Sequence, residues 1–156
     1  MRRHEKSTTH NAPRTMAHFP LLIDSSVGLP ICEDERRERA KMPCLILSTN
    51  VSLDGVDTSV IFSEVTKAVA KIMGKPEAYV MVVLKASVPI SFGGSEQPAA
   101  YGELVSVGFL SPDVNKNLSA AVSSVLETKL SVPKSRFFLK FYDSEGANMG
   151  WNGTTF

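Results

Sequence analysis

The chemistry open to this chain turns on Met42-Pro43, which separates a charged, unpatterned stretch from the apolar run Leu45-Ile46-Leu47. A methionine followed by proline at that boundary reads as a second chain start inside the first. If Met42 is trimmed, Pro43 becomes a free secondary amine. Such groups titrate close to neutral pH, and desolvation lowers them further, which makes a usable base. With translation from Met1 the same nitrogen is a tertiary amide with no useful basicity. His4, His10 and His18 all precede Met42, and residues 43–156 contain no histidine. A Ser-His-Asp or Cys-His site, or a histidine-ligated metal, cannot be assembled there. The two cysteines, Cys32 and Cys44, flank the boundary, so neither a disulfide framework nor a metal site on paired cysteines is expected. Acid–base work falls to carboxylates, Lys, Tyr, Cys44 or a terminal amine, with no cofactor.

The 156 residues suit one small domain plus a tail. Hydrophobic and charged contents of 43% and 21% are those of an ordinary globular chain. A net charge of +1 gives no reason to expect nucleic acid or an anionic membrane as partner. No apolar run approaches the roughly 20 residues that span a bilayer. Residues 1–41 carry Pro13, Pro20, Pro30 and the mixed-charge run Glu33-Asp34-Glu35-Arg36-Arg37-Glu38-Arg39, without apolar periodicity. They read as a disordered leader or alternative-start extension, whose last stretch has the makings of a short exposed helix. Phe19-Pro20-Leu21-Leu22-Ile23 is too short for a secretory signal. Arg2, Arg3 and Arg14 with early Ser and Thr faintly resemble an organellar transit peptide, but the acidic cluster argues against one.

From Pro43 the pattern changes. Pro43 to Val51 predicts a strand, and Asp54-Gly55 a turn. From Thr58 to Met73, Ile61, Val65, Ala68, Val69, Ile72 and Met73 fall on one helical face, with Gly74 and Pro76 as the stop. Tyr79 to Leu84 is a continuous apolar run that predicts a strand buried on both faces. A loop rich in Pro, Gly and Ser follows from Ser87 to Ala100. Leu104 to Val107 predicts a strand, and Ser111-Pro112 an N-cap with proline at the first helical position. That helix runs to about Leu130, and Val132-Pro133 leads to a strand from Arg136 to Tyr142.

The halves superimpose at an offset of 57 residues: Ile61, Val65, Ala68, Val69 and Met73 fall on Leu118, Val122, Val125, Leu126 and Leu130, and Pro76 on Pro133. This predicts an α+β fold, a tandem βαβ repeat with a four-stranded mixed sheet and both helices on one face. The other face stays uncovered although its strands are apolar, and two sheet edges stay open. Gly146 to Gly153 reads as a short strand with turns that suits a neighbour's edge. A closed homo-oligomer is therefore expected.

Met42-Pro43, Ser48-Thr49-Asn50-Val51, Gly74-Lys75-Pro76, Ser91-Phe92-Gly93-Gly94, Phe141-Tyr142-Asp143 and Gly150-Trp151-Asn152-Gly153-Thr154-Thr155-Phe156 occur in order. Together they resemble the macrophage migration inhibitory factor (MIF) and D-dopachrome tautomerase family of the tautomerase superfamily, its plant members most of all. The resemblance covers 43–156 and implies a tautomerase domain that forms a homotrimer with sites at subunit interfaces. It implies an isomerase that tautomerises phenylpyruvate-like aromatic keto acids and isomerises dopachrome derivatives. Pro43 stands at the family's catalytic position and Lys75 at its carboxylate-binding position. Read without the family, Lys75 just past a helix C-terminus also serves the helix dipole. Ser106 and Val107 match a strand whose backbone contacts substrate, and Tyr79, Met149, Trp151 and Phe156 match the apolar lining.

Two departures bear on turnover. Phe138 replaces a tyrosine whose hydroxyl borders the site in vertebrate members, and Lys140 replaces an asparagine contributed by the adjacent subunit. The first removes a donor and the second changes the local field, so weak turnover is expected. The thiol pair of the vertebrate cytokine is replaced by Ala99-Ala100-Tyr101-Gly102, which excludes thiol–disulfide exchange of that type. The alternative reading is a cytokine-like signalling or binding protein that engages a cell-surface receptor or other protein partner through its trimer surface, with a vestigial pocket. Cytoplasm is the default location, with leaderless secretion as in the family's extracellular members.

Overall fold

The computed structural model describes residues 42–156. The expectations for the leader, its helix and its targeting lie outside the described residues. Strand β1 (Cys44–Thr49) is followed by helix α1 (Thr58–Met73), strand β2 (Met81–Lys85), strand β3 (Ala100–Ser106), helix α2 (Pro112–Leu130) and strand β4 (Phe137–Asp143). The sheet order is β2-β1-β3-β4. β1 runs parallel to β2 and β3 parallel to β4, while the central pair β1 and β3 is antiparallel. The chain ends in a separate hairpin of β5 (Gly150–Trp151) and β6 (Thr154–Thr155).

The 57-residue repeat is visible element by element. Each helix is followed by a proline and a single 3-10 turn, Glu77–Tyr79 after Pro76 and Lys134–Arg136 after Pro133. Asp57 caps α1 by accepting from Ser59 N–H, and Ser111 caps α2 by accepting from Val114 N–H. Both helices end in a left-handed residue, Gly74 (φ 63°) in α1 and Ser131 (φ 54°) in α2. Each closes the last turn with the two backbone bonds expected of that motif.

The core lies between sheet and helices. Ile61, Val65, Val69 and Met73 of α1 meet Leu118, Val122, Leu126 and Leu130 of α2 over Leu45, Leu47, Leu104 and Phe137. Ala68 and Val125, also paired by the repeat, are only half-buried. Strand alternation in β1 and β3 sends one residue in two into this core and its neighbour to the open face.

Two boundaries and one burial differ most from expectation. β3 begins at Ala100, four residues early, because the small residues Ala100 and Gly102 let the strand pass beneath Leu47, Phe137 and Leu139. Tyr79 belongs to a 3-10 turn rather than to β2. β2 is also not buried on both faces: it is an edge strand and Met81 is 57% exposed. Its apolar run covers the core on one side, through Val82 and Leu84, and leaves Met81 and Val83 on the open face.

Candidate active site at one end of the sheet

Register collects most of the predicted site residues at one end of the sheet. Cys44 pairs with both Met81 and Val105, so Pro43, one residue earlier, stands beside Val80 and Ser106. The Pro43 carbonyl accepts from Met81 N–H at 3.0 Å, and its ring is almost fully buried. Ser106 is fully buried; its Oγ donates to the Gly108 carbonyl at 3.1 Å, and its carbonyl accepts from Ser144 N–H at 2.8 Å. Ser106 therefore turns the chain and leaves the following half-buried Val107 at the strand end. Tyr79 reaches the same end through the 3-10 turn before β2.

Lys75 follows the left-handed Gly74, and its N–H donates to the Ala70 carbonyl at 2.8 Å. Although charged, it is only 8% exposed. Its Nζ lies 4.9 Å from the centroid of the Phe109 ring, a cation–π geometry. Phe109 was not among the residues singled out from sequence. It follows Gly108 in a loop where both residues have positive φ, 71° and 68°. Gly108 N–H donates to Asp143 Oδ1 at 2.7 Å, which pins the loop to the end of β4. No sequence pattern marks Phe109, because a phenylalanine in a left-handed turn matches no turn preference.

Met149, Trp151 and Phe156 come together in the C-terminal hairpin, which leaves β4 at this same end. Trp151 and Phe156 stack at 6.3 Å between centroids with 9° between planes. The Phe156 N–H donates to the Met149 carbonyl at 3.3 Å. The turn Asn152-Gly153 has φ of 50° and 77°, as a two-residue hairpin of this hand requires.

Phe138 and Lys140 are not brought to Pro43 within one chain. Phe138 pairs with Tyr101 and Lys140 with Glu103, five and three residues along β3 from Ser106. At ~3.3 Å per residue that is roughly 17 and 10 Å, and both point to the open face. Phe138 is 65% exposed and packs on Phe92 at 5.1 Å. Lys140 Nζ sits 4.6 Å over the Tyr142 ring, and its pKa is raised, first by its hydrogen bond to Tyr142. Glu103 Oε1 accepts from Tyr101 Oη at 2.8 Å and from Tyr142 Oη at 3.3 Å. The Glu103 bond is the main reason the Tyr101 phenol is pushed up to about 12. An open cavity of about 560 Å³ borders this group, between Glu103, Val105, Tyr142 and Asn148. Cys44, on the open face between Met81 and Val105, is a free thiol raised in pKa by burial.

Among the described residues no group of His, Cys, Asp and Glu is arranged to hold a metal ion, and no helix is long and apolar enough to cross a membrane.

A tandem βαβ sheet whose first strand follows a buried proline defines an architecture shared with known proteins. The family model "Macrophage migration inhibitory factor (MIF)" matches residues 42–156. The macrophage migration inhibitory factor homolog of Trichinella spiralis is 39% identical over 115 residues, 74% of this chain and 100% of the relative. The macrophage migration inhibitory factor of Xenopus laevis is 36% identical over 115 residues, 74% of this chain and 99% of the relative. The solved structure of the Trichinella spiralis protein superimposes with a TM-score of 0.67 at 40% identity, covering 72% of this chain and 99% of that one. The homologue from Prochlorococcus marinus gives 0.68 at 31% identity, covering 72% and 98%. The chain belongs to the macrophage migration inhibitory factor family.

Proposed function

We propose that residues 43–156 form a weak keto–enol tautomerase of phenylpyruvate- or dopachrome-like substrates, with Pro43 as an N-terminal general base. The observation that carries this reading is the burial of Pro43 at the sheet end that also holds Lys75, Ser106 and Tyr79. A buried amine near a cation stays neutral at physiological pH and can accept a proton. Tautomerisation takes a proton from the carbon alpha to a carbonyl and delivers one to the oxygen, or the reverse. One base that holds the proton between the two steps suffices. Lys75 binds the substrate carboxylate, and the backbone at Ser106 and Val107 flanks the reacting group. Met149, Trp151 and Phe156 with Tyr79 supply apolar walls.

The reading needs a second chain. Phe138 and Lys140 face away from Pro43 in their own chain, so only a neighbour's copies can reach its site. A homotrimer meets this need and covers the open sheet face, where Met81 and Phe138 are exposed. It also needs the amine. As long as Met42 is attached, Pro43 nitrogen is an amide and the chain is inactive as a tautomerase.

The test is enol-to-keto conversion of phenylpyruvate by protein produced from Met42, with the trimmed N-terminus checked by intact mass. Pro43→Gly is expected to lower kcat by about a hundredfold. Equal rates above background would remove Pro43 from the mechanism. The full chain, uncut, should show background rates only.

A second reading, cytokine-like signalling or partner binding with a vestigial pocket, is favoured by the exposed Phe138 and by Lys140, whose charge is engaged on Tyr142. If it holds, Phe138→Tyr with Lys140→Asn recovers no turnover while binding to a receptor or other partner persists. Cytoplasm, with leaderless export for any extracellular role, is the compartment that accompanies either reading.

A further inference from the structure

We propose that Phe109 is a specificity-determining wall of this site, which selects flat aromatic carboxylic acids over aliphatic ones at Lys75. The inference rests on the reading that Lys75 holds the substrate carboxylate, and it adds a residue to which no role has been given.

Four observations converge on it. The Phe109 backbone has φ 68°, a region that a bulky side chain enters only at a cost. The loop is held there by clamps from both flanking strands. Ser106 Oγ of β3 bonds the Gly108 carbonyl, and Asp143 of β4 takes the Gly108 N–H. The ring is not sunk in the core, since Phe109 is 52% exposed. Instead the conformation lays the ring against Lys75 Nζ at 4.9 Å.

The consequence for a ligand follows from the geometry. An acid whose carboxylate meets Lys75 Nζ places its next few atoms beside the half-exposed Phe109 ring. An aryl group there gains a ring–ring contact that an alkyl chain of the same length lacks. Phe109 thus acts as a selective surface for the group beyond the carboxylate, while the proton transfer itself stays with Pro43.

The experiment is an NMR or calorimetric titration of the full chain with 3-phenylpropionate and with butyrate, two carboxylates that cannot turn over. Wild type should bind 3-phenylpropionate more tightly. Phe109→Gly removes the ring and relieves the left-handed strain, so its Tm should be no lower than wild type and misfolding is not at issue. It should lower affinity for the aromatic acid about fivefold to tenfold and leave butyrate within twofold. Phe109→Trp should retain the preference. Overturning results are distinct. If Lys75→Ala loses both acids but Phe109→Gly keeps the aromatic preference, Phe109 has no selective role and the Lys75 assignment stands. If Lys75→Ala binds both acids as wild type does, or if wild type binds neither, the carboxylate assignment falls and this inference with it.

Discussion

Several of the short motifs that run through this chain are braces for loops. Thr49 Oγ1 donates to the Ala99 carbonyl at 2.9 Å. Asn50 Nδ2 donates to the Glu96 and Gln97 carbonyls, and its Oδ1 accepts from Ala99 N–H. Arg136 completes the frame. Its guanidinium donates to the carbonyls of Pro98, Phe92, Ser95 and Gln97 and lies 5.2 Å from the Phe92 ring. One side chain thereby orders a Pro-, Gly- and Ser-rich segment that has little secondary structure of its own. Arg136→Lys cannot reproduce a planar fork with five donors, so it should lose about 2 kcal/mol of stability in urea unfolding, nearly as much as Arg136→Ala. A lysine that restores wild-type stability would contradict the fork. The Tyr101 phenol sets a pH expectation. Its pKa is about 12 in the folded chain, chiefly through the bond to Glu103, against 10 as the ordinary value. The neutral phenol is therefore favoured by folding. Its contribution is fully present below pH 10 and is lost as pH rises through about 12. In a spectrophotometric titration Tyr101→Phe should remove the late-ionising phenol and shrink the stability loss over that window. A late step that persists in the variant would assign the shift elsewhere.

The two halves of the repeat solve the same problem with different residues, and that makes the elements testable against each other. Gly74 and Ser131 occupy equivalent left-handed caps at φ 63° and 54°. Gly74→Ala should cost about 1 kcal/mol, and Ser131→Gly should gain several tenths to about 1 kcal/mol, both read as shifts in denaturation midpoint. Equal effects of the same sign would mean that the caps are not equivalent. β3 has its own constraint. A Cβ on Gly102 would stand 2.9 Å from Leu139 Cδ1 and 3.0 Å from Leu47 Cδ2. Gly102→Ala should therefore overpack the core by about 1–3 kcal/mol, visible as a lowered Tm. Ala99, Ala100 and Gly102 are the inward residues of this stretch, and a thiol side chain at 102 would press on Leu47 and Leu139.

For the whole molecule, a trimer of the full 156-residue chain predicts a sedimentation mass near three times 17.0 kDa. Phe138→Glu places a charge on the exposed open face and should dissociate the assembly while leaving the helix-covered core, and hence the far-UV spectrum, intact. A monomeric wild type would remove the route by which Phe138 and Lys140 reach a site. It would also favour the partner-binding reading.

The Met42-Pro43 junction, the absence of histidine after it, the repeat and both helices were legible along the chain, because each depends on residue type and local period. The core faces of α1 and α2 follow from the spacing of Ile61 to Met73 and Leu118 to Leu130, which no distant contact needs to complete. β2 was less legible. A run that is apolar throughout reads the same whether its strand is central or at an edge, and only pairing decides which. The site divides in the same way. Pro43 and Lys75 stand out by chemistry and position, but that Pro43 and Ser106 share a sheet end is a matter of antiparallel register between β1 and β3. Phe109 on Lys75 and Arg136 on the 92–98 loop are long-range contacts between a helix end, a strand start and turns, and no local pattern encodes them. By itself the sequence determined which groups can do chemistry and which elements carry them. The tertiary structure alone decided which groups meet and which, like Phe138 and Lys140, turn to the opposite face, since strand pairing sets side-chain direction over distances that local periodicity does not span.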